Sequence, residues 1–158
     1  MHSRIYQIST EPISAEDFLT ESNLDGHWFT KEIADCVDDE VNLTEEIDGF
    51  KTLLERHQMA AFHDEASFTF NPKGRMAYFK SAHKSFITAA QTAASLTLEQ
   101  FSANEGSQLL DALSRSYCDR DGWYVFSEQY DVIPFDEFLH YAVIGQRYYI
   151  GGVLDYHA

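Results

Sequence analysis

The amino-acid sequence predicts an α+β fold in which a small antiparallel or mixed sheet is covered by several short helices. Short runs of β-branched and aromatic residues lie at both ends of the chain, and hydrophobic residues recur at helical spacing between them. The two kinds of segment do not alternate strictly, as they do in a parallel βαβ fold. With 158 residues, of which 44% are hydrophobic, residues 1–158 are expected to form a single globular domain.

The first third of the chain is predicted to contain one strand followed by acidic helices. Residues 4–8 lack glycine and proline and favour the first strand, and residues 15–19 favour a short helix with acids in its first turn. Residues 28–37 have apolar side chains at helical spacing, which predicts a helix with an acidic outer face. The next helix is expected to begin near Thr44, with one apolar stripe made of Leu43, Ile47, Phe50 and Leu54.

The middle of the chain is predicted to contain a hairpin followed by helices. In residues 67–79, aromatic and polar residues alternate around an Asn-Pro-Lys-Gly turn at 71–74, which is typical of a β-hairpin. Residues 79–94 return to helical spacing and contain alanines that would allow another element to pack closely. Thr97 and Gln100 have the spacing of a capping box, so a short helix and then a longer one are expected after them.

The last third is predicted to complete the sheet. Residues 123–126 and 130–133 favour strands, and residues 136–141 favour a short helix. Residues 146–156 alternate as a long strand that a pair of glycines would bend. This alternation places on one face of the strand Tyr148, Ile150, Gly152, Leu154 and Tyr156. The expected sheet thus combines the N-terminal strand, the central hairpin and the C-terminal strands, with helices on one face.

The formal net charge of −15 comes from 26 acids and 11 bases and is concentrated near the start of the chain. Residues 1–50 contain 13 acids and two bases, Arg4 and Lys31. Direct binding of DNA or RNA requires lysines and arginines that replace the counterions of the phosphates, so this composition disfavours it. An anionic membrane is disfavoured for the same reason. A basic protein partner would instead be attracted and steered.

The leading candidate site is an acidic face near the start of the chain. If its carboxylates lie on two adjacent helices, their density is comparable with that of the charges on a nucleic-acid duplex. We therefore expect a non-catalytic acidic binding protein that engages a basic partner, as a nucleic-acid mimic or as an inhibitor or immunity-type protein. Small acidic nuclease inhibitors and acidic immunity proteins are similar in composition alone. The expected partner-binding residues are Glu32, Asp35, Asp38, Asp39, Glu45 and Glu46.

One alternative function is a small hydrolase or a metal-dependent enzyme that uses His57, His63 and Asp64. The two histidines are six residues apart, whereas two ligands on one helical face are three or four apart. In the structural interpretation, His57 ends a helix, and His63 and Asp64 cap the entry to the hairpin. We expect neither a metal nor a cofactor.

A second alternative is a structural subunit that forms a homo-oligomer through its aromatic strands and has no ligand. Residues 66–98 contain no acid and carry four bases, Lys73, Arg75, Lys80 and Lys84. These bases are expected to pair with the acidic helices or to line a self-association contact.

The cysteines and the apolar segments bear on the location of the protein. Cys36 and Cys118 fit neither a disulfide framework nor a zinc spacing, so both thiols are expected to be reduced and buried. No run of residues resembles a signal peptide or a membrane span. A cytoplasmic location is therefore expected.

Overall fold

The structure, a computed structural model, describes residues 2–103, 105–117 and 122–157. The described residues form one mixed sheet of seven strands with six α-helices and two 3₁₀ turns, which confirms the α+β fold class. The strands are β1 (His2–Ser9), β2 (Cys36–Asp38), β3 (Ala60–Phe62), β4 (Ser67–Phe70), β5 (Tyr124–Ser127), β6 (Asp131–Pro134) and β7 (Arg147–His157). The helices are α1 (Trp28–Glu32), α2 (Leu43–Arg56), α3 (Pro72–Ala94), α4 (Leu98–Ser102), α5 (Gly106–Tyr117) and α6 (Phe135–Tyr141), and the 3₁₀ turns span Ala15–Asp17 and Glu21–Leu24.

Strand β7 lies inside the sheet and pairs with three other strands along its two edges. β1 pairs with it antiparallel along one edge. Along the other edge, β4 pairs with the beginning of β7 and β2 pairs with its end. β5 runs parallel to β1, which makes the sheet mixed, and the strand order is β3-β4-β7-β1-β5-β6.

Both faces of the sheet are covered, each by its own hydrophobic cluster, so the expectation of helices on one face is wrong. The larger cluster includes side chains of α2, α3 and α6, and the smaller one includes side chains of α1 and of the segment that precedes it. The apolar residues of β1 point to both faces, and each face therefore needs a cover. The smaller cluster contains Ile5, Leu19, Leu24, Phe29, Ala34, Tyr124, Val132, Leu154 and Tyr156.

A β-bulge interrupts the pairing of β1 with β7. The pairs on either side of it are Tyr6 with Val153 and Ile8 with Ile150. The single residue Gln7 therefore lies opposite two consecutive glycines of β7.

The bulge overturns the expected alternation along β7. Tyr148 and Ile150 belong to the larger cluster, whereas Leu154 and Tyr156 belong to the smaller cluster on the opposite face. The prediction that these four residues share one face with Gly152 is therefore wrong. One extra residue in β7 shifts the period-two alternation by one position, and every later side chain changes face.

The central hairpin is formed by β3 and β4, and the chain then continues as α3. The predicted turn at 71–74 and the predicted returning strand at 75–79 are therefore wrong. Asn71 Oδ1 accepts a hydrogen bond from Lys73 N at 2.9 Å, and Pro72 occupies the first helical position. An asparagine cap followed by proline is a helix start, and here it outweighs the period-two pattern.

The helix predicted over residues 28–37 ends at Glu32. Cys36–Asp38 form β2 instead and pair with the last residues of β7. The free edge of β7 offers backbone donors and acceptors to this segment, a partner that local spacing does not reveal. The acids at positions 35, 38 and 39 consequently lie on a strand and its flanks rather than on a helix.

The thiol of Cys36 is free but exposed, so the expectation that it is buried is wrong. Cys118 lies outside the described residues. In the part of the chain that the structure describes, no helix combines the length and the apolar character needed to cross a membrane.

Helix α3 begins in close contact with the chain that leaves α2. A Cβ atom on Gly74 would lie 1.9 Å from the backbone oxygen of Gln58 and 2.6 Å from Cα of Met59. Met59 is held by two backbone hydrogen bonds, from its N to Leu54 O at 2.7 Å and to its O from Asn71 N at 2.6 Å. The crossing therefore depends on the absence of a side chain at residue 74.

We expect Gly74→Ala to lower the free energy of unfolding by about 2–4 kcal/mol, because the added methyl group meets backbone that cannot move aside. Gly49→Ala is the matched control, since a Cβ atom on Gly49 in α2 would meet no atom within 4 Å. That change should stabilise the protein by about 0.5–1 kcal/mol through helix propensity. Urea unfolding monitored by circular dichroism measures both, and effects of the same sign would contradict this account.

Candidate acidic binding surface

Strand β2 and its flanks carry half of the expected binding residues. Val37 lies against the smaller hydrophobic cluster, so its neighbours Cys36 and Asp38 are left exposed on the opposite side of the strand. Asp35 N donates a hydrogen bond to His157 O at 2.7 Å, which fixes the backbone where the strand begins. The side chain of Asp35 is exposed.

A carboxylate from a distant part of the chain joins this strand. One carboxylate oxygen from each of Glu21, Asp38 and Asp39 lies within 4.8 Å of the others, and all three residues are exposed. Glu21 N donates to Asp39 Oδ2 at 3.2 Å, and Glu40 N donates to Asp38 Oδ1 at 2.7 Å. Nothing in the local sequence distinguishes Glu21 from the other acids of the first third, so sequence reasoning missed it.

Two further expected residues lie on the helices that precede and follow β2 in the chain, which cover opposite faces of the sheet. Glu45 is in the first turn of α2, near the positive end of the helix dipole, and Glu32 is the last residue of α1. Both are exposed. Within the described ranges, neither of them forms an ion pair, and the same holds for Asp35, Asp38 and Asp39.

Glu46 differs from the other expected residues because it binds Arg4 of β1. Arg4 Nη2 donates to Glu46 Oε1 at 2.8 Å, and Arg4 Nη1 donates to Asp155 Oδ1 at 2.5 Å. Arg4 Nε also lies 2.7 Å from Glu46 Oε2, although its N–H does not point at that oxygen. The hydrogen bond that Arg4 donates to Glu46 is the main cause that raises the pKa of Arg4. Glu46 is therefore occupied within the fold and is not available to a partner.

The structure does not bring the alternative enzyme residues together. His57 caps the end of α2, and its ring packs edge-on against Tyr78 with centroids 5.4 Å apart. The Nε2 atom of His63 contacts Thr69 Oγ1 across the β3–β4 hairpin. Among the described residues, the three ligand atoms that lie within 4.8 Å of one another do not include those of His57, His63 or Asp64.

Asp64 has a structural role in the β3–β4 turn. Its carboxylate accepts hydrogen bonds from Ser67 Oγ at 2.6 Å and Ala66 N at 3.0 Å, and Arg147 Nη2 lies 3.1 Å away. The bond from Ser67 is the main cause that lowers the pKa of Asp64, and the bond from Ala66 adds to it. Asp64 therefore stabilises the turn within the β3–β4 hairpin, whereas the hairpin of residues 67–79 whose entry it was expected to cap does not form.

A groove of about 700 Å³ lies between residues 10–20 and the ends of β1 and β5. Among the described residues that line it there is no lysine, arginine, histidine or cysteine, and its charged side chains are Glu11, Glu16, Asp17 and Glu128. Thr20 and Asn23, which flank Glu21, also line this groove. The groove therefore adjoins the turn that carries Glu21 and has the same sign of charge.

Comparison of the chain with protein-family models, with curated proteins and with solved structures found no match.

We expect Arg4→Met to lower the free energy of unfolding by about 1–3 kcal/mol, because it leaves two carboxylates without their shared cation. The side chains of Glu46 and Asp155 are 21% and 17% exposed, so water compensates for this loss incompletely. Adding Glu46→Gln should recover part of the stability. The control is Arg147→Met, whose ion pair with Asp64 is exposed and should contribute much less. Equal losses for the two arginine variants in urea unfolding would contradict this account.

Glu21→Gln should raise the stability at low ionic strength, because it removes one of three like charges within 4.8 Å. We expect a gain of roughly a few tenths of a kcal/mol that disappears in ~0.5 M NaCl, where the repulsion is screened. Glu128→Gln makes the same change of charge outside this group and serves as the control. A gain that persists at high salt would show that repulsion is not the cause.

Proposed function

We propose that this protein is a non-catalytic binding protein that engages a basic protein partner through an acidic surface. The acidic surface consists of Glu21, Glu32, Asp35, Asp38, Asp39 and Glu45. The observation that carries the proposal is the group formed by Glu21, Asp38 and Asp39, in which separate segments hold three exposed carboxylates within 4.8 Å.

The electrostatics of this group favour a cationic ligand. Two unit charges 4.8 Å apart repel each other by about 0.9 kcal/mol in pure water, before salt screens them. The fold holds the carboxylates at this distance, so the repulsion is present in the unbound protein. Lysines and arginines of a partner would relieve it and release bound counterions, which makes the binding strongly salt-dependent.

The spacing of the carboxylates supports a more specific proposal, that the acidic surface mimics a nucleic acid. Duplex DNA carries a phosphate charge about every 3.4 Å of axis along each strand, which is similar in scale to the 4.8 Å group. A nucleic-acid-binding protein, such as a nuclease or a basic toxin, would present the matching cations. The surface is built from a strand, a 3₁₀ turn and helix ends rather than from two helices.

The groove beside Glu21 supports a protein partner over a small cation. Its charged lining is entirely acidic among the described residues, and its volume of about 700 Å³ admits side chains as large as lysine and arginine. A basic segment of the partner would lie along the acidic surface and extend into this groove. We also place the protein in the cytoplasm, because the free, exposed thiol of Cys36 is typical of a reducing compartment.

The test is capture of proteins from native cell extract on the immobilised full chain. We expect nucleic-acid-binding proteins to be retained at ~50 mM NaCl, and to be released by ~500 mM NaCl or by duplex DNA added at constant ionic strength. Release by DNA shows that the retained proteins cannot bind DNA and this chain at the same time, and the variants that follow distinguish the acidic surface from a merely acidic resin.

The combined variant Asp35→Asn, Asp38→Asn and Asp39→Asn should lose most of this capture, because it removes three charges from the acidic surface. The matched control, Glu55→Gln, Glu65→Gln and Glu137→Gln, removes three charges outside both the acidic surface and the groove and should keep most of it. Equal capture by the wild type and both variants would overturn the proposal.

A further inference from the structure

Helices α3, α4 and α5 form a helical arm, residues 72–103 and 105–117, whose base is anchored to the rest of the fold. At the base, Tyr78 Oη donates to Asp136 Oδ1 at 2.6 Å, and Arg75 Nη1 donates to Ala142 O at 2.7 Å. Farther along the arm, α3 packs against α5. Every residue of α4 and α5 is described, and none of them is buried. The outer part of the arm is thus a pair of helices, α3 and α5, that pack against each other.

The arm exposes more large apolar side chains than a pair of helices can cover. Ile87 is 40% exposed, Leu98 84%, Phe101 70% and Leu110 69%. These residues come from all three helices, so the exposure is a property of the arm as a whole. Two such pairs of helices can bury these side chains by packing together as a four-helix bundle.

The charges of the arm are separated along its length. Lys80 and Lys84 lie near the middle of α3, a helix that contains no acid and is about 34 Å long for its 23 residues. Glu99 and Glu105 lie at the tip, where the chain turns from α3 into α5. Within the described residues, none of these four side chains forms an ion pair.

Ile87 and Leu110 lie between the lysines and the glutamates, and Leu98 and Phe101 lie at the tip beside Glu99. Phe86 and Tyr117 have ring centroids 6.1 Å apart, and a Cβ atom on Gly106 would lie 3.7 Å from Leu96 Cδ1. These two contacts fix the level of α5 against α3. Leu110 therefore lies beside the second half of α3, which also carries Ile87.

We propose that the helical arm is a homodimer interface in which two copies of the chain pack antiparallel about a twofold axis. In this arrangement, Lys80 and Lys84 of each copy face Glu99 and Glu105 of the other. A parallel arrangement would place lysines beside lysines and glutamates beside glutamates. A twofold axis uses the same patch on both copies and closes the assembly at two subunits.

Self-complementarity favours a second copy over a different protein as the occupant. The arm alone contains both members of each expected charge pair and the apolar residues between them. An unrelated partner would have to supply the same order of charges in reverse. This interface is independent of the acidic surface, because the two share no residue.

The test is sedimentation equilibrium of the full chain and of two charge-reversed chains. One chain carries Lys80→Glu and Lys84→Glu, and the other carries Glu99→Lys and Glu105→Lys. Each reversed chain should dimerise at least about tenfold more weakly than the wild type, because like charges then face each other across the twofold axis. An equimolar mixture of the two should form a heterodimer of nearly wild-type affinity, since every charge pair is opposite again.

Three controls make the outcome decisive. Lys31→Glu with Arg56→Glu changes the net charge as the first reversed chain does, but outside the arm, and should leave the dimer unchanged. Leu110→Glu should abolish the dimer, and circular dichroism verifies that each variant is folded. The Asn variant of the acidic surface should remain dimeric, so failure of the proposed function and failure of this interface are distinguishable. A monomeric wild type, a dimer that tolerates Leu110→Glu, or reversed chains that do not pair would each overturn the proposal.

Discussion

The side chain of Gln7 connects three segments of the fold: β1, in which Gln7 lies, the glycine pair of β7, and residues 17–19, which help to cover one face of the sheet. Its Oε1 accepts hydrogen bonds from Gly152 N at 2.8 Å and Leu19 N at 2.9 Å, and its Nε2 donates to Asp17 O at 3.0 Å. A Cβ atom on Gly152 would lie 2.6 Å from Leu19 O, so this approach requires glycine. This contact lies at the bulge, where the side chains of β7 change face, and it ties to the sheet the segment that leads to the 3₁₀ turn beginning at Glu21.

The same topology explains why negative charge accumulates on one surface. The end of β7 pairs with β1 on one side and with β2 on the other, so the register brings Arg4 and Asp38 to either side of Asp155. Arg4 neutralises the inner carboxylates of Glu46 and Asp155. No cation of the described residues reaches Asp38 or Glu21, and their charge is directed to solvent.

The acidic surface and the helical arm would gain their binding free energy from different interactions. On the acidic surface, the gain comes from relieved repulsion between carboxylates and from released counterions, and both fall with ionic strength. On the arm, the gain comes mainly from apolar side chains such as Phe101 and Leu110, with charge deciding the orientation. Because the two surfaces share no residue, a dimer would present two acidic surfaces to its partner.

Local patterns in the sequence were sufficient for the elements that bury a regular stripe or alternate without interruption. The apolar stripe of α2, the capping box before α4, helix α6 and the extent of β7 all appear where the spacing predicts them, because these elements form most of their hydrogen bonds locally or lie in the core. The concentration of acids in the first third is likewise a property of the sequence alone.

Tertiary structure decided the features that depend on contacts between distant segments. Residues 36–38 became a strand because the edge of β7 offered them backbone partners, and Glu21 joined the acidic surface through the hydrogen bond from its backbone N to Asp39. Glu46 was removed from that surface because β1 brings Arg4 to it. Periodicity shows which side of an element is apolar. It does not show which remote group will meet the polar side, because that depends on how distant segments of the chain pack together.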